Sequence, residues 1–415
     1  MRLRTGFLTL LFCALSLGSL SVFAADVWPE KVKVGGEYRL RLESEINYDF
    51  DSSVPASDTY LLSRLRVYLD LNPSPHLQLF GMFQDSETID QGNAVFKTPD
   101  QRRLYQAFFV VKSKPGALET RIKGGRQELK YGDERLIGAL NWSNLGRSFD
   151  GVVLHFETKA FWLDLFGTRI KPQGKEVQFA GGYAQLKKFP TGILEPYVLF
   201  LHGNQSGVDN GPLDLVTVGT RVKGKFKKHF DYGFEGAYQS GKSNGNLVSA
   251  FALHSEIGVN IPKSFKPRFE LEYNFASGDS SPGVGTVTTF NNLFPTNHSK
   301  YGYMDLFSWK NLHDLKLGFS AKPVSFFQAS VDYHLFFLPQ PADGVFAANG
   351  RQLRPGIPGA SPYAGQEIDF LFTFKPIKHF DALVGYSMFF PGSFFSDTGP
   401  SDRAQFFYTQ FVAKY

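Results

Sequence analysis

Two Arg-x-Arg pairs, Arg39/Arg41 and Arg64/Arg66, alternate with large apolar residues: Tyr38, Leu40 and Leu42 around the first, Leu65, Val67 and Leu69 around the second. A period of two places successive side chains on opposite faces of a strand. Neighbouring guanidinium groups on one face repel each other and cannot sit in a dry core, so that face requires water or carboxylates. The other face, written in Leu, Val and Tyr, requires an apolar medium. Facing Arg64 and Arg66 toward lipid would cost ~2–4 kcal/mol each near the bilayer midplane. The arginines are therefore expected to point inward, into the charged, water-filled lumen of a transmembrane antiparallel β-barrel.

The N-terminal stretch reads as a secretory signal. Arg2 and Arg4 precede an apolar run from Gly6 to Leu20, and Val22-Phe23-Ala24 resembles a cleavage site. Residues 1–24 are expected to be removed, leaving 25–415 as the barrel. Cys13, the only cysteine, lies in this segment, and Phe12 stands where a lipoprotein signal needs a small residue. No thiol chemistry or acyl anchor is expected in the mature chain. Loss of Arg2 and Arg4 lowers the net charge from +5 to about +3, too little to suggest nucleic-acid binding. Beyond the signal no run reaches the ~18 apolar residues of a spanning helix, yet the chain carries 43 Phe and 18 Tyr, which suits the aromatic girdles of an outer-membrane barrel.

Alternation recurs along the chain. In Arg268–Phe275 the polar set is Arg268, Glu270, Glu272 and Asn274, opposite Phe269, Leu271, Tyr273 and Phe275. About 18 strands are predicted, starting at residues 33, 60, 76, 101, 118, 150, 160, 176, 193, 214, 229, 249, 266, 312, 325, 366, 379 and 404. Connections alternate in length. Short ones such as Asn72–Pro75, Ser113–Gly116 and Lys375–Lys378 carry Lys and Pro, whereas 46–59, 87–100, 127–149, 278–311 and 338–365 are long and rich in Gly, Pro, Ser, Asp and Asn. This is the asymmetry of periplasmic turns and extracellular loops, and an even strand number puts both termini in the periplasm. A soluble β-sandwich, propeller or solenoid would alternate too, but has no reason to expose Phe, Tyr and Leu on nearly every strand.

Two metal signatures are absent from the sequence: there is no H-E-x-x-H and no EF-hand pattern. His254 and Glu256 share an inward face without a serine partner. Neither an enzyme nor a cofactor is expected. What remains is the cationic interior. Arg39, Arg41, Arg64, Arg66, Arg121, Arg126, Arg221 and Arg268 are the candidate lumen residues, offset by Glu37, Glu43, Glu270, Glu272 and Asp369. Guanidinium groups in a low-dielectric channel concentrate anions and pair with carboxylates in a fork. Mixed signs keep a ligand from being trapped. The plainer reading is that these charges hydrate the wall and bridge to one another.

One segment is more specific. Gly125-Arg-Gln-Glu-Leu-Lys-Tyr-Gly-Asp-Glu-Arg-Leu-Ile-Gly138, continuing through Asn141-Trp-Ser-Asn-Leu-Gly-Arg-Ser-Phe-Asp-Gly-Val152, resembles the alginate export family, as do Leu62–Leu69 and Gln101–Phe108. The resemblance implies an 18-stranded monomeric barrel in outer-membrane lipid and lipopolysaccharide, passing a polyanionic polysaccharide outward through an electropositive constriction, with periplasmic export proteins as possible partners. It places Arg126 at a strand end and Asp133 and Arg135 in the following loop to shape that constriction; Trp142, Asn144, Arg147, Phe149 and Asp150 re-enter the next strand. Asp133 and Arg135 are either substrate contacts or a loop-fixing salt bridge. Gly132, Gly138 and Gly146 are read as turn glycines. Uptake of small organic anions by a porin is the alternative.

Overall fold

The computed structural model describes residues 31–53, 57–92, 98–171, 176–205 and 211–415; the expected signal segment lies outside them. Eighteen strands form one closed sheet. They are β1 (Val32–Ile46), β2 (Asp58–Ser74), β3 (Leu77–Ile89), β4 (Gln101–Ser113), β5 (Glu119–Gln127), β6 (Phe149–Glu157), β7 (Phe161–Ile170), β8 (Val177–Phe189) and β9 (Gly192–Gln205). They continue as β10 (Gly211–Phe226), β11 (Phe230–Ser243), β12 (Asn246–Asn260), β13 (Arg268–Ala276), β14 (Leu312–Val324), β15 (Phe327–Phe337), β18 (Tyr363–Ile377), β19 (Phe380–Pro391) and β20 (Ala404–Lys414). The remaining two, β16 (Val345–Phe346) and β17 (Gln352–Arg354), make a small separate hairpin.

Each barrel strand pairs antiparallel with the next, and β20 closes on β1 with Tyr38 opposite Ala413. Closure leaves no sheet edge, as a strand array in lipid requires. Every predicted start falls within three residues of an observed barrel strand. Where alternation is strict the reason is plain. Phe269 and Leu271 of β13 are exposed on the outer wall, while Glu272 and Asn274 are buried inside. The C-terminal strand turns Phe407 and Phe411 outward and Tyr408 inward.

The upper lumen departs from a simple polar interior. Phe149, Phe179, Leu199, Leu201, Leu213 and Leu215 all point inward and are buried. They meet apolar side chains carried in by the long loops: Phe290, Phe294, Tyr301, Met304, Phe307 and Trp309 of loop 277–311. Phe307 stacks on Phe336 of β15 with ring centroids 4.0 Å apart. The barrel therefore holds a folded core inside its extracellular half, and the inward positions there follow loop packing rather than water.

The lipid-facing reading of β13 has a direct consequence. Leu271→Arg is expected to destabilise the folded barrel by ~2–4 kcal/mol, measured by urea titration of folding into vesicles; unchanged stability would contradict it.

Candidate functional site: a strap across the lumen

The loop between β5 and β6, residues 128–148, does not stay outside. It crosses the interior and is gripped on two walls. On the first wall the Arg-x-Arg residues hold its backbone. Arg39 donates to Asn141 O at 2.8 Å and to Ser143 O at 3.1 Å. Arg64 donates to the same two carbonyls, each at 3.1 Å, and to Glu37 at 2.7 Å. Arg41 donates to Trp142 O at 2.7 Å, and its guanidinium lies 3.7 Å from the Trp142 ring centroid. Arg66 reaches Gln84 at 2.7 Å and sits over the Tyr105 ring at 4.1 Å. Arg39 and Arg64 are each 3% exposed. Inward orientation agrees with the alternation, but the strap, not open water, covers these groups.

A buried guanidinium has five donors and needs acceptors for them. Backbone carbonyls of an irregular segment need donors equally. The strap and the arginines satisfy each other. Gly146, at φ +68°, is required here: a Cβ would lie 2.7 Å from Arg66 Nη2 and 2.6 Å from Tyr105 Oη. Gly132 also has positive φ, as turn geometry demands.

The second grip is ionic. Asp133 pairs with Arg221 of β10 at 2.8 Å and with Lys223 at 3.2 Å. Arg135 pairs with Glu272 of β13 at 2.7 Å and donates to His254 at 3.2 Å. Asp133 and Arg135 thus reach separate wall partners instead of bridging to each other. Burial would raise the Asp133 pKa, but Arg221 and Lys223 outweigh it and hold the carboxyl well below its ordinary range. This clasp therefore keeps its charge throughout mild acid. Arg147, whose pKa burial lowers to about 10, stays cationic at neutral pH and donates to Gly138 O at 3.0 Å and Pro295 O at 2.9 Å.

Loop 277–311 lies along the strap. Gly138 N donates to Phe294 O at 2.8 Å and Phe294 N to Leu136 O at 2.9 Å, a short parallel pairing at Ile137. Trp142 stacks on His298 at 3.6 Å. On β18 the chemistry is reversed: Glu367 accepts the Met304 amide at 2.9 Å. Cationic side chains hold carbonyls of one inserted loop, and an anionic one holds an amide of the other.

The other candidates divide. Arg221 has a second partner, Glu195, at 2.5 Å. Arg121 faces the lumen near the short-turn end, contacting His155 at 2.6 Å and Glu157 at 2.8 Å. Arg268 pairs with Asp231 at 2.6 Å and contacts Glu270, whose other oxygen meets Lys316 at 2.7 Å. Glu256, Glu270 and Glu272 bring carboxylate oxygens within 4.8 Å of one another, but the Lys316 ammonium lies 2.7 and 2.5 Å from Glu270 and Glu272, so the trio is an ion-pair network. His254 is spent on Asn274 and Arg135. Arg126 is a correction. It shares the parity of the exposed Ile122 rather than of Arg121, and so lies on the outer wall, at the loop end of β5, in a fork with Asp150 at 2.8 and 2.9 Å.

Several contributors went unnamed in the sequence reading. Arg103 donates to Leu145 O at 2.6 Å, and Lys123 lies 4.0 Å above the Phe108 ring. Counting by twos from Arg121 finds Lys123. Arg103 needs only Leu104 to be assigned outward. The same count from Arg103 finds Tyr105, but a bulge where β3 meets β4 shifts the register there, so Gln106 is buried as well and the parity changes beyond it. Inward aromatics also stack around the wall: Tyr68 on Phe80 and Phe80 on Phe108, then Trp162 on Tyr183 and Tyr183 on Tyr197, with centroids 4.9–5.8 Å apart.

A closed barrel with an apolar outer wall, a charged inner wall and loops folded into its bore is the architecture of an outer-membrane channel. The alginate export family profile matches residues 30–409, and the chain belongs to that family. The protein is a bacterial outer-membrane β-barrel. Among curated proteins no sequence matches it. Solved structures share the fold. OccAB2 of Acinetobacter baumannii has a TM-score of 0.60 at 10% identity, covering 92% of this chain and 98% of that one. OprD of Pseudomonas aeruginosa has a TM-score of 0.60 at 10% identity, covering 93% and 94%. OccD3 (OpdP) of the same organism has 0.59 at 12%, covering 93% and 91%. At these identities the likeness is one of fold.

A third inserted segment, 338–362, carries a titratable latch. Asp343 accepts the Asp279 amide at 3.0 Å and the Thr289 hydroxyl at 2.6 Å. Burial raises its pKa to about 6 against those hydrogen bonds. A carboxyl whose folded pKa is raised stabilises the fold below its unfolded value, and that contribution is lost as pH rises through about 6. Amide exchange in 338–362, corrected for intrinsic rates, is expected to be on the order of tenfold slower at pH 5 than at pH 7, with the difference gone in Asp343→Asn. Equal protection at both pH values would contradict this.

Proposed function

We propose that this channel passes anionic solutes passively, and that its cargo is an acidic polysaccharide exported from the periplasm, alginate being the type. The observation that carries the reading is the surplus of cations on one wall. Arg39, Arg41, Arg64, Arg66 and Arg103 face the strap with Glu37 and Glu43 as the nearby carboxylates, and several guanidinium bonds end on neutral carbonyls. Nearer the short-turn end Arg121 and Lys123 continue that wall. Cations held by neutral acceptors leave a positive field in the bore, which raises the local concentration of anions. Guanidinium pairs with carboxylate through two parallel bonds. Family membership supports export. The lipid and lipopolysaccharide around the barrel are its passive partners, and periplasmic export proteins would deliver the polymer.

Uptake of small organic anions is the second reading. It is favoured by the apolar core that loops 128–148 and 277–311 build inside the bore, since a narrowed path suits a small solute better than a polymer. Planar-bilayer recording separates the two. In a salt gradient the wild type is expected to favour anions, and Arg121→Ala with Lys123→Ala should shift the reversal potential toward the non-selective value. Arg126→Ala, on the outer wall, should not. Cation selectivity in the wild type would overturn the proposal. Transient block by uronate oligomers but not by neutral ones supports polymer passage; block confined to monomeric anions supports uptake.

A further inference from the structure

Beneath the strap, at the short-turn end, lies a cavity of about 270 Å³ lined by Glu37, Arg39, Arg64, Asn141, Gln410 and Lys414, among others. We infer that this cavity is a recognition site for a carboxylate-bearing sugar residue arriving from the periplasm, and that filling it frees the strap from the Arg39/Arg64 wall. The inference rests on the anionic-cargo reading and adds a site and a device to it.

The argument is one of competing acceptors. Arg39 and Arg64 line the cavity and also hold Asn141 O and Ser143 O. Those acceptors are neutral. A carboxylate brings guanidinium a full countercharge where a carbonyl brings only a dipole, and a fork engages two donors at once. Arg64 already divides itself between the two kinds of acceptor, giving Nη2 to the Glu37 carboxylate at 2.7 Å and Nη1 to the strap carbonyls. Arg39 has Asn141, Ser143 and Asn144 as its acceptors, all in the strap, and its Nε is buried without a partner. It is the group with most to gain from an incoming carboxylate. At the mouth the half-exposed Lys414 is paired at 2.6 Å with Asp381, which also lines the cavity, so the surplus charge is that of Arg39. Gln410 adds an amide that suits a sugar hydroxyl.

Release would be local. Asp133 and Arg135 stay clasped to the opposite wall by charged partners, so the strap would swing from that side instead of leaving the barrel. Cargo at the periplasmic mouth would thereby loosen the segment that obstructs its own path.

The test uses the full-length barrel in bilayers and vesicles, with the variant Ser143→Cys. Ser143 is half-buried, and Cys13, in the expected signal segment, is the only native cysteine. A membrane-impermeant thiol reagent is applied with and without trigalacturonate, and with neutral maltotriose as control. Modification is expected to be at least tenfold faster with saturating trigalacturonate and unchanged with maltotriose. Lys414→Gln should raise the half-effective concentration without altering the rate in the absence of sugar. If trigalacturonate blocks conductance yet leaves the modification rate unchanged, strap release is wrong while the anionic-cargo reading stands. If trigalacturonate neither blocks nor accelerates, both fail.

Discussion

Buried guanidinium groups must find acceptors, and on the β1–β2 wall many of those acceptors are backbone carbonyls. Arg39, Arg41 and Arg64 end on Asn141, Trp142 and Ser143, so the wall and the strap are obligatory partners. Stripping the strap away would leave a row of mutually repelling cations to be covered by water. Removing the arginines would leave irregular backbone carbonyls unpaired inside the barrel. Each bond of this kind contributes about 1.5–3 kcal/mol. The position of loop 277–311, which pairs with the strap at Ile137 and Phe294, depends on that contact in turn.

The barrel itself was legible because lipid is an unforgiving solvent. A strand with water or protein on one side and acyl chains on the other must alternate, and the 18 strand starts follow from that pattern to within three residues. The inward direction of Arg39, Arg41, Arg64, Arg66, Arg221 and Arg268 follows from the same parity. Parity counted from Arg121 also puts Arg126 on the outer wall; grouping both as lumen residues, from charge alone, overlooked that they differ in parity. Polar alternation has the same signature whether the polar face meets water or an inserted loop. The covered state of the arginines, the inward Phe149 and Phe179, and the grip of Glu367 on Met304 were therefore out of reach. They depend on where loops fold, and loop sequences carry no period.

The interior combines two tasks that pull in different directions. A firm loop core gives the bore a defined shape, and the aromatic packing of Phe290, Phe294, Phe307 and Trp309 supplies it. A conduit for charged solute requires sites that bind and release. Placing cations against neutral carbonyls reconciles the two, since the grip holds without a full countercharge and the positive field persists. Where firm anchoring is needed, at Asp133/Arg221 and Arg135/Glu272, the same loop uses full ion pairs.

The most direct measurement is the single-channel conductance of the double variant Arg39→Gln/Arg64→Gln. If these side chains hold the strap across the bore, conductance should rise above the wild type, with larger fluctuations as residues 141–145 come loose. An unchanged or lower conductance, with the barrel still folded and closed, would mean that the strap does not depend on them.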